Sequence, residues 1–379
     1  MALPTAAGGG AGRITDMHGT GWNTLALKGI WRPDGVQGEH VIEAGLQRDA
    51  FSLRSEVSTT SDWIYGSASA TPAPTTFRGN TTLQSLWAQD AWRFAPDWKA
   101  VLGARLEHWR AFNGAINGVR LGERSETAVS PKAAVSFQAS PQLTWKASLG
   151  RAVRMPTVSE LYQGSISANV VVNNDPNLRA EKSWTAELSA EHDLGFGLWR
   201  TTLFAERTVD ALYSQTNVTV TPNVTNIQNI DAVRTLGLEA ALQANDMLLK
   251  GLDLTASLTY ADSSIRRNDK FPASVGKRQP RVPMWRATAL ASYALDDRWS
   301  GSFGTRYSGR QFGQLDNSDS NDFAYTGVSR YFVTDLRLRY RASKQWVASI
   351  GIDNLGTTTY WAFHPYPQRT FVAELRYDH

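Results

Sequence analysis

The chain has 379 residues, 42% of them hydrophobic and 20% charged, with no cysteine and a formal net charge of +4. Those figures exclude a disulfide scaffold, a cysteine-ligated zinc centre and a thiol nucleophile, and no window approaches the roughly 18 apolar residues of a membrane helix. The small positive charge carries no basic run suited to a nucleic-acid groove, yet 14 Trp, 12 Tyr and 30 Gly sit in a chain whose mean hydropathy is a polar −0.35.

In chain order, residues 1–19 read as a flexible lead-in. Gly8-Gly9-Gly10 lacks the lysine and the strand-to-helix setting of a phosphate loop. Arg13 stands beyond the small residues with no apolar stretch, so no secretory signal is read there. Strands are predicted near 20–31, 39–56, 80–94, 98–112 and 127–139. Five more follow near 143–153, 181–193, 198–215, 232–245 and 251–266, and the last near 283–295, 298–310, 330–342, 345–354 and 368–378. The dominant period is two. Leu252, Leu254, Ala256, Leu258 and Tyr260 alternate with Asp253, Thr255, Ser257 and Thr259. Leu336, Leu338 and Tyr340 alternate with Asp335, Arg337, Arg339 and Arg341, and Phe371, Ala373, Leu375 and Tyr377 repeat the pattern. Helical spacing is nowhere sustained, so the chain is all-β, with about 15 strands. Most approach the ten or so residues that a tilted strand needs to cross a bilayer, against about five or six in soluble proteins.

The links alternate in length. Short ones run Arg32 to Gly38, Ala95 to Asp97, Ser140 to Gln142, Leu194 to Gly197, Asp246 to Lys250, Asp296 to Asp297 and Ser343 to Lys344. Long ones run Val57 to Gly79, Asn113 to Glu126, Arg154 to Ala180, Thr216 to Asp231, Arg267 to Val282, Gln311 to Ser329 and Leu355 to Pro367. Tight turns at one end and loops of about 13 to 27 residues at the other are the asymmetry of an outer-membrane barrel. Trp98, Trp145, Trp199, Trp299 and Trp346 each open a strand that leaves a short turn. Indole is amphipathic and settles where hydrocarbon meets headgroup water, so the five are expected to form a membrane girdle. Charged residues such as Arg105 and Glu107, Glu187 and Glu191, Glu206 and Asp210, Arg306 and Arg310, and Arg337 and Arg339 fall on the polar face of their strands. In a barrel that face lines an aqueous or plugged interior.

Several stretches resemble the barrel of TonB-dependent outer-membrane receptors. They are Leu86-Trp87-Ala88-Gln89-Asp90-Ala91-Trp92 with Trp98, and Ser130-Pro131-Lys132 with Gly150 to Thr157 and Glu160-Leu161-Tyr162. Asn177-Leu178-Arg179-Ala180-Glu181-Lys182-Ser183, Asn226 and Asn229 ahead of Leu236-Gly237-Leu238-Glu239, and Gly351 to Leu355 with Tyr360 and Pro367 to Thr370 continue the match. Their order holds over nearly the whole chain. The resemblance implies a transmembrane antiparallel β-barrel in the bacterial outer membrane, bounded by lipid and lipopolysaccharide. Such receptors take up a ferric siderophore, haem or cobalamin when TonB acts on an internal plug. The family's barrel has about 22 strands. Here there is no room for a plug, no TonB box and no export signal, and Asp378 and His379 follow the usual terminal aromatic, Tyr377. Residues 20–379 are therefore expected to be the C-terminal part of a receptor barrel, open or distorted in closure, with TonB reached only through a plug outside this chain.

No enzyme is read from the sequence. His18, His40, His108, His192, His364 and His379 are scattered, no G-x-S-x-G occurs, and neither a metal site nor a cofactor is expected. Ligand chemistry would sit in the long loops. Trp63, Tyr65, Tyr162, Phe271, Phe323, Tyr325, Trp361 and Phe363 are candidates to stack on an iron chelate or similar ligand. Arg266, Arg267, Lys270, Lys277, Arg278 and Arg281 make one loop basic, which suits an anionic ligand or a lipopolysaccharide-facing loop. A passive porin-like channel with an inward-folded constriction loop, and a soluble β-rich adhesin, are the alternatives.

Overall fold

A computed structural model describes residues 8–164, 170–217, 220–319, 323, 327–362 and 364–378. The chain opens with β1 (Gly12–Asp16), β2 (Gly21–Trp31), β3 (His40–Thr60), β4 (Thr75–Ala95) and β5 (Trp98–Ile116). Next come β6 (Val119–Arg120), β7 (Arg124–Gln138), β8 (Leu143–Arg154), a short helix α1 (Val158–Tyr162), β9 (Val170–Asn173) and β10 (Glu181–Asp193). Two long strands, β11 (Gly197–Asn217) and β12 (Asn223–Ala244), precede β13 (Leu252–Arg267), β14 (Trp285–Ala294) and β15 (Trp299–Ser308). The chain ends with β16 (Tyr331–Arg341), β17 (Trp346–Asp353), the small hairpin β18 (Trp361–Ala362) and β19 (His364–Pro365), and β20 (Thr370–Tyr377).

Each of the expected strands has its counterpart, and each pairs antiparallel with the next long strand, from β2 through β5, β7, β8 and β10 to β17 and β20. Among the described residues no ladder joins β2 to β20. The two end strands descend in the same direction, so closing the sheet directly would demand a parallel pair. Their side chains are exposed on both faces. The sheet is thus an open partial barrel, with β2 and β20 as its two free edges.

Two expectations change. The lead-in is ordered in part, because β1 pairs with β3 from Gly12 opposite Thr60 to Asp16 opposite Glu56. The loops are shorter than expected because several strands run on. β11 and β12 stay paired out to Asn217 and Val224, so the Asn- and Thr-rich residues 223–231 are mainly strand. Likewise β5 reaches Ile116 and turns through Asn117 and Gly118 into β6. Backbone pairing continues there without apolar alternation, since no lipid has to be faced.

Alternation sorts the side chains by face. On β15, Trp299, Phe303 and Tyr307 share one face and Ser302 and Arg306 the other. On β16, Leu336 and Leu338 oppose Arg337 and Arg339 in the same way. The apolar face is the exposed one: Leu203, Leu336 and Ile350 lie open on it. A chain of this size leaving a whole sheet face of large apolar residues uncovered has that face turned to lipid. Buried hydrophobic clusters lie instead at the loop end, on the polar side of the wall.

Candidate functional site

The long loop after β8 folds back onto the polar face of β3, β4 and β5 and is held there by its own capping. Thr157 caps α1: its hydroxyl accepts from the Glu160 N–H at 3.2 Å, while Glu160 Oε2 accepts from the Thr157 N–H at 2.8 Å. Arg154 closes the corner with a forked pair of hydrogen bonds to Glu160, at 2.9 and 3.1 Å. Burial by itself would raise the Glu160 carboxyl, but Arg154 and Thr157 outweigh it and hold the group below the usual carboxylate range. The helix then inserts Leu161 and Tyr162 among Leu53, Val57, Phe77, Trp109, Ala111 and Leu178. Gly79 and Gly114 make room for the Tyr162 ring, which a Cβ at either position would strike. Arg124 ties down the returning segment of the loop, between β9 and β10, through the carbonyls of Pro176 (2.6 Å) and Leu178 (2.8 Å).

A second cluster gathers Ile230, Val233, Ile265 and Leu315, with Tyr213 and Phe271 packed against it. Here the loops after β13 and β15 interlock. Asn317 accepts from the Arg278 N–H at 2.9 Å and donates to the Arg278 carbonyl at 3.0 Å, and the Arg281 N–H donates to the Phe312 carbonyl. Ion pairs join the two assemblies: Lys270 meets Asp175 at 3.1 Å, and Arg179 bridges Asp210 and Asp231. The loop end is therefore one connected layer. The basic loop is partly neutralised by these contacts, since Arg267 also pairs with Asp269.

The aromatic candidates divide. Tyr162 is 1% exposed and has no ring face to offer a ligand, so its expected stacking role is replaced by a packing one. Phe271 is half-buried on the second cluster. Trp361 is half-buried in β18, with its backbone joined to Ser329. Tyr65 (88% exposed), Phe323 (60%) and Trp63 (43%) are open at the loop end. Tyr325 and Phe363 lie outside the described residues. One aromatic feature was not foreseen. Tyr331, Tyr360 and Tyr366 form a ladder with centroids 4.6 and 4.7 Å apart, ending on the exposed Tyr366 ring. Its signal in the sequence was the density of tyrosine around the last long loop.

At the turn end, Trp98, Trp145, Trp199, Trp299 and Trp346 all stand on the apolar face, 37–43% exposed. Trp98 stacks on Phe137 at 4.3 Å, and tilted ring contacts join Trp299 to Tyr340 at 4.5 Å and Trp346 to Tyr377 at 4.8 Å. A second set on the same face marks the loop end: Trp184, the Tyr260–Trp285 pair, Tyr307, Phe332 and Phe371. Trp299 and Tyr307 lie about 26 Å apart along β15, which at a tilt of about 40° spans roughly 20 Å, near the ~25 Å apolar band of outer-membrane barrels. Among the described residues no group of three His, Asp or Glu side chains is placed to hold a metal ion.

Comparison with known proteins agrees with this geometry. The family description "TonB dependent receptor-like, beta-barrel" matches residues 8–355. The iron-regulated outer membrane virulence protein of Vibrio cholerae is 25% identical over 321 residues, covering 79% of this chain and 44% of that protein. Among solved structures, the copper transporter OprC superposes with a TM-score of 0.73 at 18% identity, over 94% of this chain and 57% of its own. The ferric citrate transporter FecA gives 0.72 at 18% identity, over 96% and 55%. The chain spans about half the length of the relatives it matches. An open antiparallel wall with an exposed apolar face, short turns at one end and a folded loop layer at the other thus belongs to the TonB dependent receptor-like β-barrel family of the bacterial outer membrane.

Proposed function

We propose that this chain supplies the membrane wall and the ligand-facing loops of a receptor that takes up a scarce metal chelate across the outer membrane. The barrel segment over 20–379 is its body, and the lead-in over 1–19 joins it where β1 pairs with β3. Trp98, Trp145, Trp199, Trp299 and Trp346 form the headgroup belt at the periplasmic side. The observation that carries the reading is the interlocked loop layer. It is built on the polar side of the wall by two hydrophobic clusters and joined by the Lys270–Asp175 and Arg179–Asp231 pairs. A rigid layer of this kind presents Trp63, Tyr65, Phe323 and Tyr366 as exposed rings for a planar or aromatic chelate. The names of the similar proteins, a copper transporter and a ferric citrate transporter among them, support a metal-bearing ligand. TonB acts through a plug outside these residues, so transport belongs to the receptor as a whole.

The test is uptake by cells that carry or lack the gene, using iron-55 as citrate, catecholate and hydroxamate chelates, and copper ions. Gene-dependent accumulation of one probe that disappears when TonB is deleted is expected; accumulation indifferent to TonB contradicts it. One observation favours a passive channel instead: the loop carrying α1 folds onto the polar side of the wall as a constriction would. A steady conductance of the chain in planar bilayers, without TonB, is the result that reading requires.

A further inference from the structure

The apolar face carries a feature unrelated to ligand uptake. On four neighbouring strands Leu149, Ala186, Ala205 and Leu236 lie side by side, each directly opposite the next in the ladder. One step toward the loop end the same strands place Arg151, Trp184, Arg207 and Arg234 in a second row. Both rows share the face of Trp145 and Trp199, the face turned to lipid. Two alanines between two leucines leave a hollow, a groove of about 550 Å³ with Arg207, Arg234 and Arg266 along its rim.

These arginines are placed against their own electrostatics. Arg207 and Arg234 are directly opposite each other, and like charges in that position repel. All three are exposed, and none makes a hydrogen bond or ion pair among the described residues. Asp262, opposite Leu236 on the same face, pairs with none of them. A guanidinium beside hydrocarbon is costly unless an anion meets it, and its planar fork fits phosphate oxygens two at a time. Trp184, half-exposed in the same row, sets this level at the headgroup boundary. An apolar trough beneath three unpaired guanidinium groups is complementary to one kind of molecule, an acyl chain ending in a phosphate.

We propose that this groove docks a phosphorylated glycolipid of the outer leaflet. Arg207, Arg234 and Arg266 hold its phosphate, and one acyl chain lies across Ala186 and Ala205. The site depends on which face meets lipid and is independent of the ligand-uptake reading.

The test uses the full chain in detergent, stripped of lipid, with binding counted by native mass spectrometry. The probes are bisphosphorylated lipid A, the same lipid without phosphate, and inorganic pyrophosphate. Bisphosphorylated lipid A is expected to bind at least tenfold more tightly than its dephosphorylated form. The R207Q/R234Q/R266Q variant should remove that advantage. A186L/A205L, which fills the trough and leaves every charge in place, should weaken binding about fivefold. Equal binding of the two lipids, or full retention by either variant, overturns the proposal. Displacement of lipid A by equimolar pyrophosphate also overturns it, because the site would then read only the anion.

Discussion

Strand β5 holds the two ends of the molecule side by side for comparison. Trp98, at its turn end, lies on the apolar face with more than a third of its surface open and stacks on Phe137. Trp109, at its loop end, lies on the opposite face and is 2% exposed, packed with Tyr162 and Phe77 under the Arg124 guanidinium. The same residue type in one strand is lipid-facing below and buried in protein above. The solvent decides: where acyl chains are available the ring needs no protein cover, and where water surrounds the wall the ring must be roofed by a loop. The lower half is therefore held by its ladders and the bilayer, the upper half by an ordinary miniature core.

The largest break in that contrast should come from the core side. Tyr162→Ala removes the ring at the centre of the loop-end cluster, with an expected cost of about 3–5 kcal/mol. The loop after β8 should then become protease-sensitive, while the collision access of a nitroxide label placed at position 98 stays unchanged. Next is Leu238→Arg, on the apolar face opposite Leu203, expected to cost about 2–4 kcal/mol in urea titrations of bilayer-inserted protein. Thr259→Arg, on the polar face beside Glu239, should stay within about 0.5 kcal/mol. An equal cost for the two would erase the distinction between faces.

Glu160 gives a smaller and pH-dependent effect. Its folded carboxyl is held below the ordinary range, so its contribution is complete above the unfolded pKa and is lost as pH falls through the folded one. Amide protection factors in residues 157–163, measured against the intrinsic exchange rate at each pH, should fall on acidification below about pH 4, and Glu160→Gln should cost about 1–2 kcal/mol and flatten that response. At the turn end, Trp98→Ala is expected to cost near 1 kcal/mol from the lost stack on Phe137, above the polar-face control at Thr259 and below the apolar-face Leu238→Arg.

What the sequence made legible follows the same division. Where one face meets lipid, as in β13, β15 and β16, strict alternation located each strand to within a few residues. Beyond the bilayer that constraint disappears, so Asn223–Ile230 read as loop although its backbone pairs with β11. The capping box of α1 was present as Thr157 and Glu160, a three-residue spacing that marks a helix start. The burial of Tyr162 was not accessible in that way, because Gly79 and Gly114 reach it from other strands only after folding. The arginine row on β8, β11 and β12 was hidden for a related reason. Its members are far apart in the chain, and only the ladder register makes them neighbours.

Lipid contact along a single strand is the most direct measurement of all this. The chain has no cysteine, so nitroxide labels can be placed one at a time from Asp335 to Arg339 on β16 and their collisions with oxygen and with a water-soluble nickel chelate compared in bilayers. Labels at Leu336 and Leu338 should favour oxygen and those at Asp335, Arg337 and Arg339 the nickel chelate, in strict alternation. Uniform access along the strand, or the opposite phase, would contradict a wall with hydrocarbon on one side and water on the other.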